Sequence, residues 1–384
     1  MVVDDVVAWR RHLHRHPEPS FEEHATSAFV ADVLGAMPGL AVERPTPTSV
    51  VARLRTGRPG PVVALRADID ALPVTEDSGV EFASERPGTM HACGHDGHTA
   101  MLLGAAQVLA GRDLPGGELR FIFQHAEERP PGGARDLVAA GVLDGVDLIT
   151  GCHLWAPLPV GALLVRPGPF MAAADFFELA VVGCGGHAAL PHEATDAIAA
   201  AAQVVTNLQH LVSRATDPLQ SAVVTVGQLH AGTVANAIAG RAQLSGTVRS
   251  FDPNLRDALQ AGVERVARGV AGAHGATVEL EYVRGYDPVV NDPAATTLVR
   301  SALAATFGDD ALVDGAPILG GDDFSAYLGV VPGCYFFVGA GGPHPHHHPG
   351  FTIDEAALDT GVRAHVAIAE RALDGLGAAS DARR

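Results

Sequence analysis

The sequence predicts an α/β protein: a catalytic domain on a mainly parallel sheet, interrupted by an inserted ferredoxin-like α+β domain. Three observations predict it. Nearly all-apolar segments such as "PVVALR" and "VDLITGC" alternate with helical segments of small and apolar residues, the pattern of strands covered on both faces. From about Phe170 the rhythm changes to β-α-β-β-α-β, the split βαβ unit of a ferredoxin-like sandwich. After about Asp287 the strand–helix alternation resumes. The expected domains are residues 1–170 with 287–384, and an insert at 171–286.

Along the chain, "SFEE" reads as a capping box, with Ser20 at the N-cap and Glu23 reaching back, before a helix to about Met37. "VVARLR" and "PVVALRADID" are strands. "HTAMLLGAAQVLAG" is a helix closed by Gly111. "ELRFIFQHAEE" is a strand running out into charge, "ARDLVAAGVL" a short helix and "VDLITGCHLW" another buried strand. In the insert, "DFFELAVVGCGG" is a strand and "DAIAAAAQVVTNLQHLVSR" a long helix. "SAVVTVGQLHAG" and "RAQLSGTVRSF" are successive strands, followed by helix "NLRDALQAGVERVARGVAGAHG" and strand "TVELEYVRG". Helix "AATTLVRSALAATF", strand "CYFFVGA" and a terminal helix from about Asp354 complete the chain.

At 384 residues with 47% apolar content, the chain has material for two cores. A net charge of −18, from 26 basic and 44 acidic residues, argues against nucleic acid or an anionic membrane as partner. No apolar run approaches the ~20 residues of a membrane helix. The start shows no secretory pattern, and Cys93, Cys152, Cys184 and Cys334 are too scattered for a disulfide framework. A cytoplasmic location follows.

Chemistry concentrates in "MHACGHDGH", Met90 to His98. Cys93 and His95, two apart, share one face in extended backbone, and Gly94 permits close approach. Thiolate and imidazole suit zinc or a similar borderline ion. Glu127 and Glu128 follow the strand "LRFIFQ"; as neighbours they point to opposite sides, so one can bind a metal while the other faces substrate. His153 ends a strand, and His346, His347 and His348 lie in "PHHHPGF". Donors from separated chain segments are how a catalytic metal centre is assembled, and the supply suffices for two ions. His91 and His98 are structural or supporting candidates. Asp68 and Asp70 in "RADID" are candidates to stand behind ligand imidazoles.

The ordered motifs "RADIDALPVTE", "MHACGHDGHTAMLLGAA", "FQHAEE", "GCHLW", "GGHAALPH", "VANAI", "GTVRSF", "GGDDF" and "HHPGFTIDE" resemble the amidohydrolase branch of the aminoacylase-like co-catalytic metallopeptidases. That branch includes hippurate hydrolases, N-acyl-amino-acid amidohydrolases and auxin-conjugate hydrolases. The resemblance implies two divalent ions per subunit, zinc or manganese, with cobalt or nickel as further options. Cys93, His95, Glu128, His153 and His347 would be the ligands and Glu127 the general base for a metal-activated water. It further implies that His187 assists at the active site of the partner subunit, that Asn236 and Arg249 hold the substrate carboxylate or oxyanion, and that Asp68 supports a ligand. The insert would be a lid and dimerisation domain of a homodimer, and the substrate a small N-acyl amino acid. A dipeptidase or carboxypeptidase of the same family is the alternative activity, and a non-catalytic metal-binding protein the alternative class. Departures from relatives fall at Ala239, at Gly321 and Asp322, at His125 and at the two prolines of "EERPPGGA".

Overall fold

The computed structural model describes residues 2–381. In chain order the elements are α1 (Val2–Arg15), α2 (His24–Gly35), β1 (Leu40–Glu43), β2 (Val50–Arg55), β3 (Val62–Asp68), α3 (His95–Ala110), β4 (Glu118–Gln124), α4 (Gly133–Ala139) and β5 (Leu148–Trp155). Two short strands, β6 (Leu163–Leu164) and β7 (Gly168–Met171), lead to β8 (Ala173–Val182), β9 (Gly186–His187), α5 (Ala197–His210), β10 (Ala222–Ala231), β11 (Ala237–Ile238), β12 (Arg241–Ser250), α6 (Pro253–Ala273) and β13 (Thr277–Tyr286). The chain ends through β14 (Val289–Asn291), α7 (Pro293–Phe307), β15 (Leu312–Val313), α8 (Ser325–Leu328), β16 (Gly333–Gly339) and α9 (Ala356–Asp381).

Two units are formed. The first comprises residues up to Phe170, Val289–Ala316 and Asp322 onward; the second comprises Met171–Pro288 with the short return segment Pro317–Gly321. The first unit holds an eight-stranded sheet in the order β1-β2-β4-β3-β5-β16-β6-β15. Its centre, β4-β3-β5-β16, is parallel, while β1, β2 and β6 add antiparallel pairings toward the margins. β3 is buried over nearly its whole length, which is why its sequence is apolar from Val62 to Leu65 and not alternating. Leu65, Phe121, Leu103, Phe336 and Leu358 belong to one core that draws on the sheet, α3 and α9. Parallel central strands end on the same side, so Asp68, Gln124 and Trp155, the last residues of β3, β4 and β5, terminate along one sheet edge.

The second unit is a four-stranded antiparallel sheet, β10-β12-β8-β13. α5 and α6 supply Val204, Leu208, Leu259 and Val263 to a separate core with Phe177, Leu179 and Val181 of β8. Asp196 and Asp252 cap these helices through their side chains.

Two local expectations are corrected. Ser20 and Glu23 make no capping box: α2 begins at His24, Glu23 occupies the N-cap without a side-chain cap bond, and both side chains are engaged elsewhere. Cys93 and His95 do not sit on extended backbone: Gly94 is left-handed at φ 93° and His95 already opens α3. The N-terminal helix α1 is an addition, and its acidic first turn (Asp4, Asp5) and basic last turn (His12, His14, Arg15) were the signal available for it.

Candidate metal centre

The donors assemble at the strand ends. Gly94 turns the chain so that Cys93 lies just before α3 and His95 is its first residue. A left-handed turn costs glycine little and other residues about 1–2 kcal/mol. His95 Nδ1 faces the main-chain oxygen of Asp70 at 3.0 Å and its carboxylate at 3.1 Å. Both are acceptors, so Nδ1 carries the proton and Nε2 is turned inward as a donor atom for a cation. Burial pulls the His95 pKa down, but Asp68, Asp70 and Glu128 outweigh it and push it up to about 10. The site therefore favours positive charge at this ring.

β4 ends at Gln124, and the left-handed Ala126 (φ 50°) then presents Glu127 and Glu128. Glu127 Oε2 and Glu128 Oε1 lie 4.0 and 3.8 Å from His95 Nε2. His153, on β5, directs Nδ1 to the carbonyl of Leu154 at 2.7 Å, which leaves Nε2 3.4 Å from Cys93 Sγ. Burial and the neighbouring His98 and His346 hold its pKa well below the usual imidazole value, so the ring is neutral and able to ligate.

The three late histidines separate by geometry. His347 has φ 65°, donates its main-chain N–H to Ala92 and brings Nε2 to 3.3 Å from Glu128 Oε1. His346 bonds the Leu154 carbonyl and stacks on Trp155. His348 accepts from Gly350 and stacks on His344. His347 is therefore the one turned toward the acidic donors.

Among the donor groups with atoms within 4.8 Å of one another are Cys93, His95 and His153; Cys93, Glu128 and His347; and His95, Glu127 and Glu128. The first two share the Cys93 sulfur, so Cys93 could serve either group as a ligand. His95 Nε2 is buried and makes no hydrogen bond, and buried Glu128 Oε1 meets His347 Nε2 at 3.3 Å. Orphaned polar atoms of this kind are costly without a partner, and a soft thiolate with imidazoles and carboxylates suits zinc-like or manganese-like ions. The residues present fit two divalent cations.

Behind the donors lies a shell that the sequence disclosed only in part. Asp68 bonds His98 Nδ1 at 2.6 Å and Arg66 at 2.7 Å, and lies 3.7 Å from His95 Nε2. His98 accepts the Leu154 N–H on Nε2, so both its ring nitrogens are spent and it is structural. Asp70 is the carboxylate directly behind His95, and it also accepts from Ser20 Oγ and the Glu128 N–H. Asp322 and Asp323 form a buried group with Glu127. Burial first, then Asp322, Glu128, Asp323 and Asp70, raise Glu127 well above the ordinary carboxylate value. An arginine inside the apolar strand "VVALRAD" was the available signal for this shell, because Arg66 needs buried acids around it.

In the second unit, exposed His187 lies in β9 opposite Ala237, and its Nδ1 accepts the Ala189 N–H. Asn236 adjoins this ribbon and its carbonyl accepts the Ala188 N–H. Arg249, on β12, donates to the carbonyls of Asp175 and Val248 and lies over Phe176. It makes no ion pair among the described residues.

The chain is 54% identical over 291 residues to an N-acyl-L-amino acid amidohydrolase of Geobacillus stearothermophilus, covering 76% of this chain and 79% of that one. It is 41% identical to thermostable carboxypeptidase 2 of Saccharolobus solfataricus, covering 96% and 95%. The crystal structure of the YXEP protein of Bacillus subtilis, a dinuclear metal-binding peptidase of the M20 family, matches with a TM-score of 0.85 at 38% identity over 97% of this chain and 99% of that one. Residues 64–371 match the model of peptidase family M20/M25/M40, and the chain belongs to that family.

Proposed function

We propose that this protein is a metal-dependent amidohydrolase that cleaves the amide bond of N-acyl amino acids. The observation that carries the proposal is the pair of donor groups sharing Cys93, with the Glu127 carboxylate beside them. Bound divalent ions supply Lewis acidity that lowers the pKa of water toward roughly 7 and polarises a carbonyl. Glu127 takes the proton of the attacking water and delivers it to the leaving nitrogen, acting as base and then acid. Its raised proton affinity suits the second half of that cycle. His95 and His153 are fixed by Asp70 and the Leu154 carbonyl so that their Nε2 atoms face the centre.

His187 and Asn236 serve the oxyanion, His187 from the partner subunit, and Arg249 pairs the substrate carboxylate, for which a guanidinium without an ion pair is suited. The assembly proposed is a homodimer through the second unit. β10 is an edge strand there, and Leu229 and Val234, on and just beyond it, are 43% and 58% exposed. Zinc or manganese is the proposed metal, with cobalt and nickel compatible. The proposed location is the cytoplasm, supported by four unpaired cysteines. No described helix is long and apolar enough to cross a membrane. The carboxypeptidase relative favours peptide cleavage as the second reading.

Chelator-stripped protein refilled with each ion, assayed on N-acetyl, N-benzoyl and indole-acetyl amino acids against dipeptides, tests both. Glu127→Ala keeps its metal and loses turnover by roughly 10²–10⁴. Turnover equal to the unaltered enzyme removes Glu127 from the mechanism.

A further inference from the structure

The segment Pro19–Glu23 precedes α2 yet serves the metal-bearing strands. Pro19 bridges Ala71 in parallel fashion, and the Ala71 N–H donates to the carbonyl of Glu18 at 2.8 Å. Glu23 is fully buried. Its Oε1 accepts from the main-chain N–H of Phe21 at 2.9 Å and of Ala126 at 2.7 Å. Ala126 is itself fully buried and left-handed, at φ 50°. A residue with a Cβ holds that conformation only when its surroundings over-determine it. Here the Ala126 N–H is tied to Glu23, and its carbonyl accepts from the Gly133 N–H at 3.1 Å.

The consequence lies one and two residues further on. The dihedral angles of Ala126 set the direction in which the next peptides leave β4, and those peptides carry Glu127 and Glu128. Were the carboxylate withdrawn, the Ala126 N–H would be buried without a partner and the residue would relax toward an ordinary conformation. Both glutamates would then turn away from His95 and His347.

We propose that Glu23 is a positioning residue: its side-chain oxygen locks Ala126 in the left-handed conformation and thereby aims Glu127 and Glu128 at the metal centre. The inference rests on the reading of Glu127 as base and Glu128 as ligand. What Glu23 supplies is an acceptor oxygen at a fixed reach, and its charge is incidental.

The test compares full-length Glu23→Gln, Glu23→Ala, Glu23→Asp, Ala126→Gly and the Ala126→Gly combinations with both damaging variants. Manganese binding to the chelator-stripped proteins is measured by calorimetry, kcat and KM on the best N-acyl amino acid, and folding by far-UV circular dichroism. Glutamine preserves the acceptor and keeps manganese affinity. Alanine, and aspartate with its shorter reach, weaken manganese binding and lower kcat by roughly 10–100-fold, with KM unchanged. Glycine adopts positive φ without support, so Ala126→Gly restores affinity and kcat in the Glu23→Ala and Glu23→Asp backgrounds. Wild-type manganese affinity in Glu23→Ala or Glu23→Asp overturns the proposal, and so does failure of Ala126→Gly to rescue. Should Glu23→Ala not fold, the Glu23→Asp pair decides. An unaltered protein that binds manganese but cleaves no amide defeats the functional reading alone, because the manganese isotherms still judge Glu23.

Discussion

Arg66 has essentially no exposed surface, yet it bears a charge. Its guanidinium reaches Asp68 at 2.7 Å, Asp323 at 2.9 Å, Asp322 at 3.3 Å and Gln124 Oε1 at 2.8 Å. Burial opposes its protonation, but Asp322 and Asp68 more than offset that and keep its pKa well above the usual arginine value. Such a cluster is weak evidence of net stability, while removing one member leaves buried charge uncompensated. Arg66→Met is therefore expected to cost about 3–5 kcal/mol, read as a lower urea midpoint, because three carboxylates lose their counter-charge together. The sequence made the candidate ligands legible as a proposal, since Cys93, His95, Glu128 and His153 sit at or near strand and helix ends. It did not make their supports legible. Asp323 meets Arg66 across 257 residues, and no local pattern encodes that meeting. The residue pattern alone left His346, His347 and His348 open and only the resemblance named His347, because its orientation depends on a positive φ and a main-chain bond to Ala92.

At the scale of elements, periodicity revealed every long strand and most helices, because burial on one or both faces writes itself into the residue pattern. Side-chain bonds at element ends were less readable. "SFEE" has the composition of a capping box, but Asp70 and Ala126 compete for Ser20 and Glu23 and win. Gly94 is the reverse case: a glycine noted for close approach is required for its left-handed turn. Gly94→Ala has space for its Cβ, the nearest atom being Leu154 Cβ at 3.6 Å. The expected loss is thus conformational, about 1–2 kcal/mol, together with weaker metal binding because Cys93 and His95 lose their relative orientation. Thermal melts and metal titrations of that variant check both.

The junction of α1 with the start of α3 carries a pH signature. Asp96 accepts from Arg10 Nε at 2.9 Å and pairs with His14 Nδ1 at 2.8 Å. Burial would raise its pKa, but Arg10 and His14 prevail and hold it well below the ordinary value. A folded pKa below the unfolded ~3.9 means the stabilisation is complete above that pH. It is lost as the pH falls through the folded value. Asp96→Asn should be less stable at neutral pH, with a deficit that holds down to about pH 4–5 and shrinks as the pH falls further, as followed by chemical unfolding between about pH 7 and 2. A deficit that stays constant with pH would assign the Asp96 effect to packing.

For the whole molecule, what matters is that every proposed metal ligand belongs to one folding unit. Cys93, His95, Glu128, His153 and His347 all fall in the unit built on the eight-stranded sheet, and the second unit has a core of its own. A change of rhythm in the sequence suggests an insert at 171–286, whereas the place of Pro317–Gly321 in the second unit has no such signal, because five residues carry no periodicity. The donor unit concentrates buried acids, namely Asp68, Asp70, Glu127, Asp322 and Asp323, whose mutual repulsion a cation relieves. Ligand that binds only the folded state stabilises it by about 2.7 kcal/mol at a hundredfold excess over Kd. Manganese or zinc should therefore slow amide exchange in β4, β5 and the start of α3, and chelation should reverse it. Exchange in the core of the second unit, in α5 and α6, should not respond, because those helices hold no donor. Hydrogen–deuterium exchange with and without chelator measures this directly. Equal responses in α5, α6 and β4 would mean that the ion stabilises the chain globally, and that the donor unit does not gain its stability on its own.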